Sequence, residues 1–346
     1  MGRAFDTILP MKLTPGKLAG MKAVSNDRGV IAAAAMDQRG SLKKAIAKES
    51  GKDVTDGQME EFKTLVTEVL TQHASAILLD PEWGIPASKR RAKGSGLLMA
   101  YEKTGYDAAT PGRLPDLLDE WSVRRLKEAG ADCLKILLYY TPFDPKPVND
   151  LKQAWVERIG DECRANDIPF FLEFVGYEEG ADEKGLEYAK KKPAIVTGAM
   201  QEFTKDRYGV DVMKVEIPIN MKFVEGSQAS KGGPAAYSRK EAAQWFLEAA
   251  KVSTKPFIYL SAGVSNAEFT EGLALAAESG VNYSGVLCGR ATWKDGIAVY
   301  AKEGGAAFRK WLETQGVENI KNVNEAIKPA HPWFAFYGAK SADELA

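Results

Sequence analysis

A single-domain (β/α)8 TIM barrel, an α/β fold, is what this sequence predicts. Eight short apolar runs recur along the chain, rich in β-branched or aromatic residues. Longer amphipathic stretches separate them. The length of 346 residues, with no low-complexity linker or composition break, suits one large domain of eight such units.

The strands are read in order at VIAAAAMD (30–37), AILLD (76–80), GLLMAYE (96–102), DCLKILLYY (132–140), PFFLEFV (169–175), DVMKVEI (211–217), PFIYLSA (256–262) and SGVLCGR (284–290). Near-continuous apolar strands belong to a parallel sheet covered on its outer face by helices. Helices are expected at 56–74, 114–130 and 238–252, where apolar residues return with helical spacing. An open doubly wound sheet is the competing architecture, but no GxGxxG follows the first strand. The segment 225–237, EGSQASKGGPAAY, reads as a flexible loop after strand six. Residues 1–15 read as an extension before the barrel. The tail, about 329–346, is aromatic and then polar, suited to pack on the surface or to support a homo-oligomer.

Composition narrows the function classes. The chain is 45% hydrophobic and 27% charged, with a formal net charge of −1. No global field draws it to nucleic acid or a membrane surface, so an anionic ligand must be held by a few placed groups. Three scattered cysteines, Cys133, Cys163 and Cys288, suggest reduced thiols in a cytoplasmic protein. No apolar run reaches membrane-spanning length, and the opening MGRAFDTILPMKL matches neither a signal peptide nor the myristoylation pattern. Two histidines, His73 and His331, cannot supply a clustered catalytic zinc site. No metal or other cofactor is expected.

DVMKVEIP, at 211–218, poses the chemical question: it sets Lys214 and Glu216 inside an apolar strand. Side chains alternate faces along a strand. If Met213, Val215 and Ile217 face the helices, Lys214 and Glu216 face the barrel interior. The same parity sends Lys135, Glu173 and Asp37 inward. One buried ion pair is readily structural. Four of these groups, Asp37, Lys135, Glu173 and Lys214, converging near strand ends are not, because buried pairs seldom stabilise more than apolar replacements.

Two lysines and two carboxylates without a metal fit Schiff-base chemistry. A desolvated lysine beside another cation loses basicity, and its neutral amine can attack a ketone. The iminium then accepts the electron pair of a neighbouring carbon–carbon bond, while carboxylates move the protons. Local sequence leaves open whether Lys214 or Lys135 is the nucleophile, since Glu216 could pair with Lys214 and keep it charged. Small residues after the last two strands would let backbone amides approach a phosphate, so Ser261, Gly263, Gly289 and Arg290 form a candidate cradle. A second anion site is less defined. Ser41 could cap the helix after strand one, and Lys89, Arg90 and Arg91 form a run that reads mainly as a solvated loop.

At these residues the sequence resembles the class I tagatose 1,6-bisphosphate aldolases, which work through a Schiff base. AMDQRGSLKK, LLDPEWGIPA, LLMAYEKTGYD, RLPDLLDEWS, GADCLKILLYY, FFLEFVGY, VMKVEIP, IYLSAGVS and GVLCGRATW carry the likeness, from about residue 30 to about residue 320. The resemblance implies a lyase that cleaves tagatose 1,6-bisphosphate into the two triose phosphates. It implies Lys214 as the Schiff-base lysine, Glu173 as acid and base, and Lys135 and Asp37 around the C3–C4 bond. Ser261, Gly289 and Arg290 would hold a phosphate, and Gln38 would line the pocket. The extension and the closing segment depart from the family's compact members. Distant animal fructose-bisphosphate aldolases use a C-terminal tyrosine, whereas this chain ends in Ala346 and Tyr337 is no obvious substitute. Alternative readings are an aldolase for fructose 1,6-bisphosphate or a sulfonated ketose phosphate, and a sugar-phosphate sensor with a regulatory partner.

Overall fold

The computed structural model describes residues 12–103 and 110–346. Each of the eight apolar runs forms one parallel strand: β1 (Ile31–Ala35), β2 (Ala76–Leu79), β3 (Gly96–Ala100), β4 (Cys133–Tyr139), β5 (Phe170–Val175), β6 (Val212–Glu216), β7 (Phe257–Leu260) and β8 (Gly285–Cys288). They close into a barrel in sequence order, β8 returning to β1. Closure leaves no sheet edge unpaired.

The helices are α1 (Pro15–Val24), α2 (Gly40–Ser50), α3 (Asp56–Leu70), α4 (Ile85–Ser88), α5 (Val123–Glu128), α6 (Lys146–Ala165) and α7 (Leu186–Phe203). They continue with α8 (Arg239–Lys251), α9 (Asn266–Glu278), α10 (Arg290–Trp293), α11 (Ile297–Glu303), α12 (Gly305–Trp311) and α13 (Val317–Ala326). Capping boxes start α3 at Thr55 with Gln58 and α8 at Ser238 with Glu241. The stretch expected to be helical over 114–130 is so only in its second half. Ser122 caps α5, while Leu117 bridges Glu102 and the Leu118 amide donates to the Tyr101 carbonyl, spending the first half on the end of β3. Helix α2 begins at Gly40 with Arg39 at its N-cap, so Ser41 is not the cap. No helix among the described residues is long and apolar enough to cross a membrane.

Strand parity divides the core. Ala34, Leu134, Ile136, Leu172, Phe174, Met213 and Val215 pack outward against helices. Ile31, Ala33, Leu78, Leu98, Phe171, Val212, Ile258 and Leu287 fill the barrel's lower interior. The alanines of β1 leave space there that larger side chains such as Phe171 occupy. Gly285 is required where β8 starts: φ is +129°, and a Cβ would stand 1.9 Å from the Ile31 carbonyl oxygen.

Helix α1 and the chain's last residues cover the amino-terminal end of the strands. Leu18, Met21 and Val24 join Trp333 and Leu345 in the inner cluster, and the Leu13 amide donates to the Leu345 carbonyl at 2.9 Å. The aromatic tail therefore packs on its own barrel. Tyr337 lies here too, 3.5 Å from the carbonyl of Asp211, which precedes β6, and so at the far end from the inward lysines. The β7–β8 junction carries the fewest register pairs in the barrel, one, Tyr259 with Val286, against six between β4 and β5, and the Ser284 amide just before β8 also donates to the Phe257 carbonyl at 2.8 Å.

Candidate active site

At the carboxyl ends of the strands the interior turns from apolar to ionic. Asp37 follows β1, Lys135 lies in β4, Glu173 in β5 and Lys214 in β6, and all four are buried. Glu173 and Lys214 are register partners on neighbouring strands, so their side chains emerge side by side. Glu173 Oε1 is 2.8 Å from Lys214 Nζ and Oε2 is 2.9 Å from Lys135 Nζ. Both contacts are ion pairs without hydrogen-bond alignment, and Oε2 has no hydrogen-bond partner. Lys135 also meets Asp37 Oδ2 at 2.7 Å and Glu102 Oε1 at 2.9 Å.

The two lysines thus differ. Among the described residues, Lys214 is ion-paired with Glu173 alone. Burial would lower the basicity of Lys135, but Asp37, Glu102 and Glu173 outweigh it and hold the ammonium well above its ordinary range. Burial likewise opposes ionisation of Asp37, yet Lys135, Lys214 and Arg39 together hold its carboxyl far below the usual value. For Glu102 burial wins over the attraction of Lys135 and Arg39, and its proton is held more tightly than usual. Glu216 is not the partner of Lys214: it accepts from the Gly176 amide at 2.8 Å and pairs with Lys192 at 3.1 Å.

Ser261 and Gly263 lie just past β7, and Gly289 and Arg290 just past β8. Gly263 has φ of +79°, and a Cβ there would come within 2.8 Å of Arg290 Cζ, so the guanidinium rests on bare backbone. Lys294 donates to the Gly263 carbonyl at 2.9 Å, adding a second cation to this corner. Gln38 reaches the same corner, since a Cβ on Gly289 would stand 3.5 Å from its Nε2. Burial pushes the Cys288 thiol up, and Ser261 and Lys214 both lie close enough to oppose that shift. Cradle and lysine therefore border one space. Two cations of the run at 89–91 are spent elsewhere: Arg90 pairs with Glu68, and Arg91 donates to the carbonyls of Ser88 and Ser95.

A family model described as DeoC/LacD family aldolase matches residues 31–295, the span that holds every strand and all of these groups. The chain belongs to that aldolase family. A curated tagatose 1,6-diphosphate aldolase of Listeria monocytogenes is 54% identical over 331 residues, covering 95% of this aldolase and 97% of the relative. Tagatose 1,6-diphosphate aldolase 2 of Enterococcus faecalis is 52% identical over 327 residues, covering 94% and 98%. A solved fructose-bisphosphate aldolase of Plasmodium falciparum is similar in fold, with a TM-score of 0.66 at 15% identity, covering 93% of this chain and 98% of that one.

The aldolase site also contains residues that the sequence reading did not single out. Glu102 shares the inward parity of Leu98 and Ala100, so alternation along GLLMAYE was the signal available for it. Arg39 is buried, donates to the Glu102 carbonyl at 2.7 Å and lies 3.7 Å from Glu102 Oε1. Nothing in DQRGSLKK marks it as different from the surface cations beside it.

Proposed function

We propose that this aldolase cleaves tagatose 1,6-bisphosphate into dihydroxyacetone phosphate and glyceraldehyde 3-phosphate through a Schiff base on Lys214. The substrate reading is supported by relatives that bear that activity in their names and align over nearly their full length. The observation that carries the mechanism is the unequal pairing of the lysines, one carboxylate at Lys214 against three at Lys135.

Glu173 takes a proton from Lys214, and the neutral amine adds to the C2 carbonyl to give a carbinolamine. The protonated Glu173 returns its proton to the carbinolamine hydroxyl, which leaves as water and forms the iminium. A carboxylate then accepts the C4 hydroxyl proton. Asp37 suits this step, being ionised and directed into the cluster. The C3–C4 electron pair moves into the iminium as an enamine, and the aldehyde departs. Lys135 stays charged and stabilises the negative charge that develops during cleavage. Protonation at C3 and addition of water release the ketone and restore Lys214. Ser261, Gly263, Gly289 and Arg290 hold the phosphate of the ketone half, with Gln38 beside them. The buried free thiols Cys133, Cys163 and Cys288 support a reducing, cytoplasmic setting.

The test is borohydride reduction of the purified protein with dihydroxyacetone phosphate, followed by peptide mapping. The adduct is expected on the peptide carrying Lys214, and an adduct on Lys135 would reverse the two roles. A parallel panel of tagatose 1,6-bisphosphate, fructose 1,6-bisphosphate and a sulfonated ketose phosphate should give the highest kcat/KM for the first. A higher value for either of the others would reassign the substrate.

A further inference from the structure

Behind Asp37 sits a lysine that takes no part in the steps above. Lys63 belongs to α3, is wholly buried, and has three acceptors for its three N–H groups. Nζ donates to the Met36 carbonyl at 2.8 Å, to the Gln38 carbonyl at 2.7 Å and to Asp80 Oδ2 at 2.6 Å. Asp80 follows β2 and is fixed in turn, its Oδ1 accepting from the Trp83 amide at 2.9 Å.

The two carbonyls belong to the residues on either side of Asp37. Holding the first fixes the peptide plane that enters Asp37, and holding the second fixes the plane just beyond Gln38, so Asp37 is strung between two anchored carbonyls and the direction of its Cα–Cβ bond is restricted. The Met36 amide is held as well, by the Leu78 carbonyl at 2.7 Å. Asp37 then meets Lys135 at 2.7 Å, and Lys135 connects through Glu173 to Lys214.

A buried ion pair is a poor way to fasten a helix to a sheet, because apolar side chains of the same volume usually do as well. This one grips the chain just past the strand end, at the carbonyls of the two residues that bracket a single carboxylate. We propose that Lys63, ion-paired with Asp80, is a positioning residue for carbon–carbon bond cleavage, directing the Asp37 carboxylate at Lys135. The proposal rests on the reading of Asp37, Lys135, Glu173 and Lys214 as the reacting cluster.

The consequence for pH follows from what faces Asp37: Lys135 from β4, Lys214 from β6, Glu102 from β3, Arg39 from its own loop and Lys63 from behind. Burial opposes its ionisation, and the attraction of Lys135, then of Lys214 and Arg39, overcomes that. Turned away from Lys135 it would keep the burial and lose the largest attraction. Its titration would then move up, and the acid limb of kcat with it.

The experiment uses the full chain carrying Lys63→Met with Asp80→Asn, which removes both buried charges together. With tagatose 1,6-bisphosphate, kcat should fall about 10- to 100-fold, the scale of a misplacement near 1 Å, while KM stays within about threefold. The acid limb should shift to higher pH. Borohydride trapping of dihydroxyacetone phosphate should proceed as in the parent, since Lys214 and Glu173 are untouched. Lys63→Arg keeps the ion pair but cannot place one nitrogen between both carbonyls, and it should show the same pattern. It carries the test if the double variant does not fold. Parental kcat and acid limb in a folded variant would overturn the proposal, as would trapping lost in proportion to turnover. Absence of turnover in the parent on every ketose bisphosphate would overturn the functional reading, and this inference with it.

Discussion

Under the proposed mechanism Glu173 is one carboxylate with two tasks, because its oxygens face different lysines. Oε1 is placed to take the proton of Lys214, while Oε2 contributes to the charge that keeps Lys135 an ammonium. Glu173→Gln preserves the shape, removes the proton acceptor and should lower kcat by about 10²- to 10⁴-fold, with an unchanged circular dichroism spectrum. Steady-state assays that found a loss of only a few-fold would move the acid–base role to Asp37. At this scale much of the site is legible in the sequence, since alternation along β1, β4, β5 and β6 puts Asp37, Lys135, Glu173 and Lys214 inside. Alternation cannot say which neighbour each will choose. Glu216 shares the inward parity of Lys214, yet it is taken by Lys192 and the Gly176 amide. That choice depends on how α7 lies against β6, which no strand pattern contains.

Among the helices, those with a complete start signal are the ones that form as the sequence predicts. Ser238 and Glu241 satisfy each other's backbone amides at the head of α8, and the helix runs on to Lys251. Ser238→Ala should cost about 1 kcal/mol and leave kcat unchanged, because the cap is exposed and no reacting group depends on it. Urea unfolding would register the loss as a lower midpoint with the same slope. The expected helix over 114–130 fails in its first half for a related reason. The only cap in that stretch is Ser122, and the residues before it are drawn into pairing with the end of β3. Lys63 shows the opposite limit. Within EFKTLV it resembles any solvated helix lysine, and only the packing of α3 onto β1 and β2 gives it three buried acceptors.

At the scale of the molecule, the barrel survives wide divergence because closure asks little of individual residues. Apolar strands of matched length and small residues at close approaches suffice. The Plasmodium falciparum aldolase keeps the fold at 15% identity. Closure was therefore readable from eight apolar runs, whereas the packing of the tail under the barrel was not, since aromatic residues near a chain end suit any apolar surface. A closed sheet is expected to open first where its register pairs are fewest, and here that is between β7 and β8. The loops on either side of that join supply Ser261 and Gly263 from one strand and Gly289 and Arg290 from the other. A phosphate gripping both sets would act as a staple across the seam. Amide hydrogen exchange in β7 and β8 should accordingly slow when inorganic phosphate or dihydroxyacetone phosphate is added, with β4 and β5 little affected. Equal protection of all strands would mean that the ligand tightens the barrel as a whole. Under the seam reading, an empty barrel breathes at the place where its substrate enters, and the substrate's own charge shuts it.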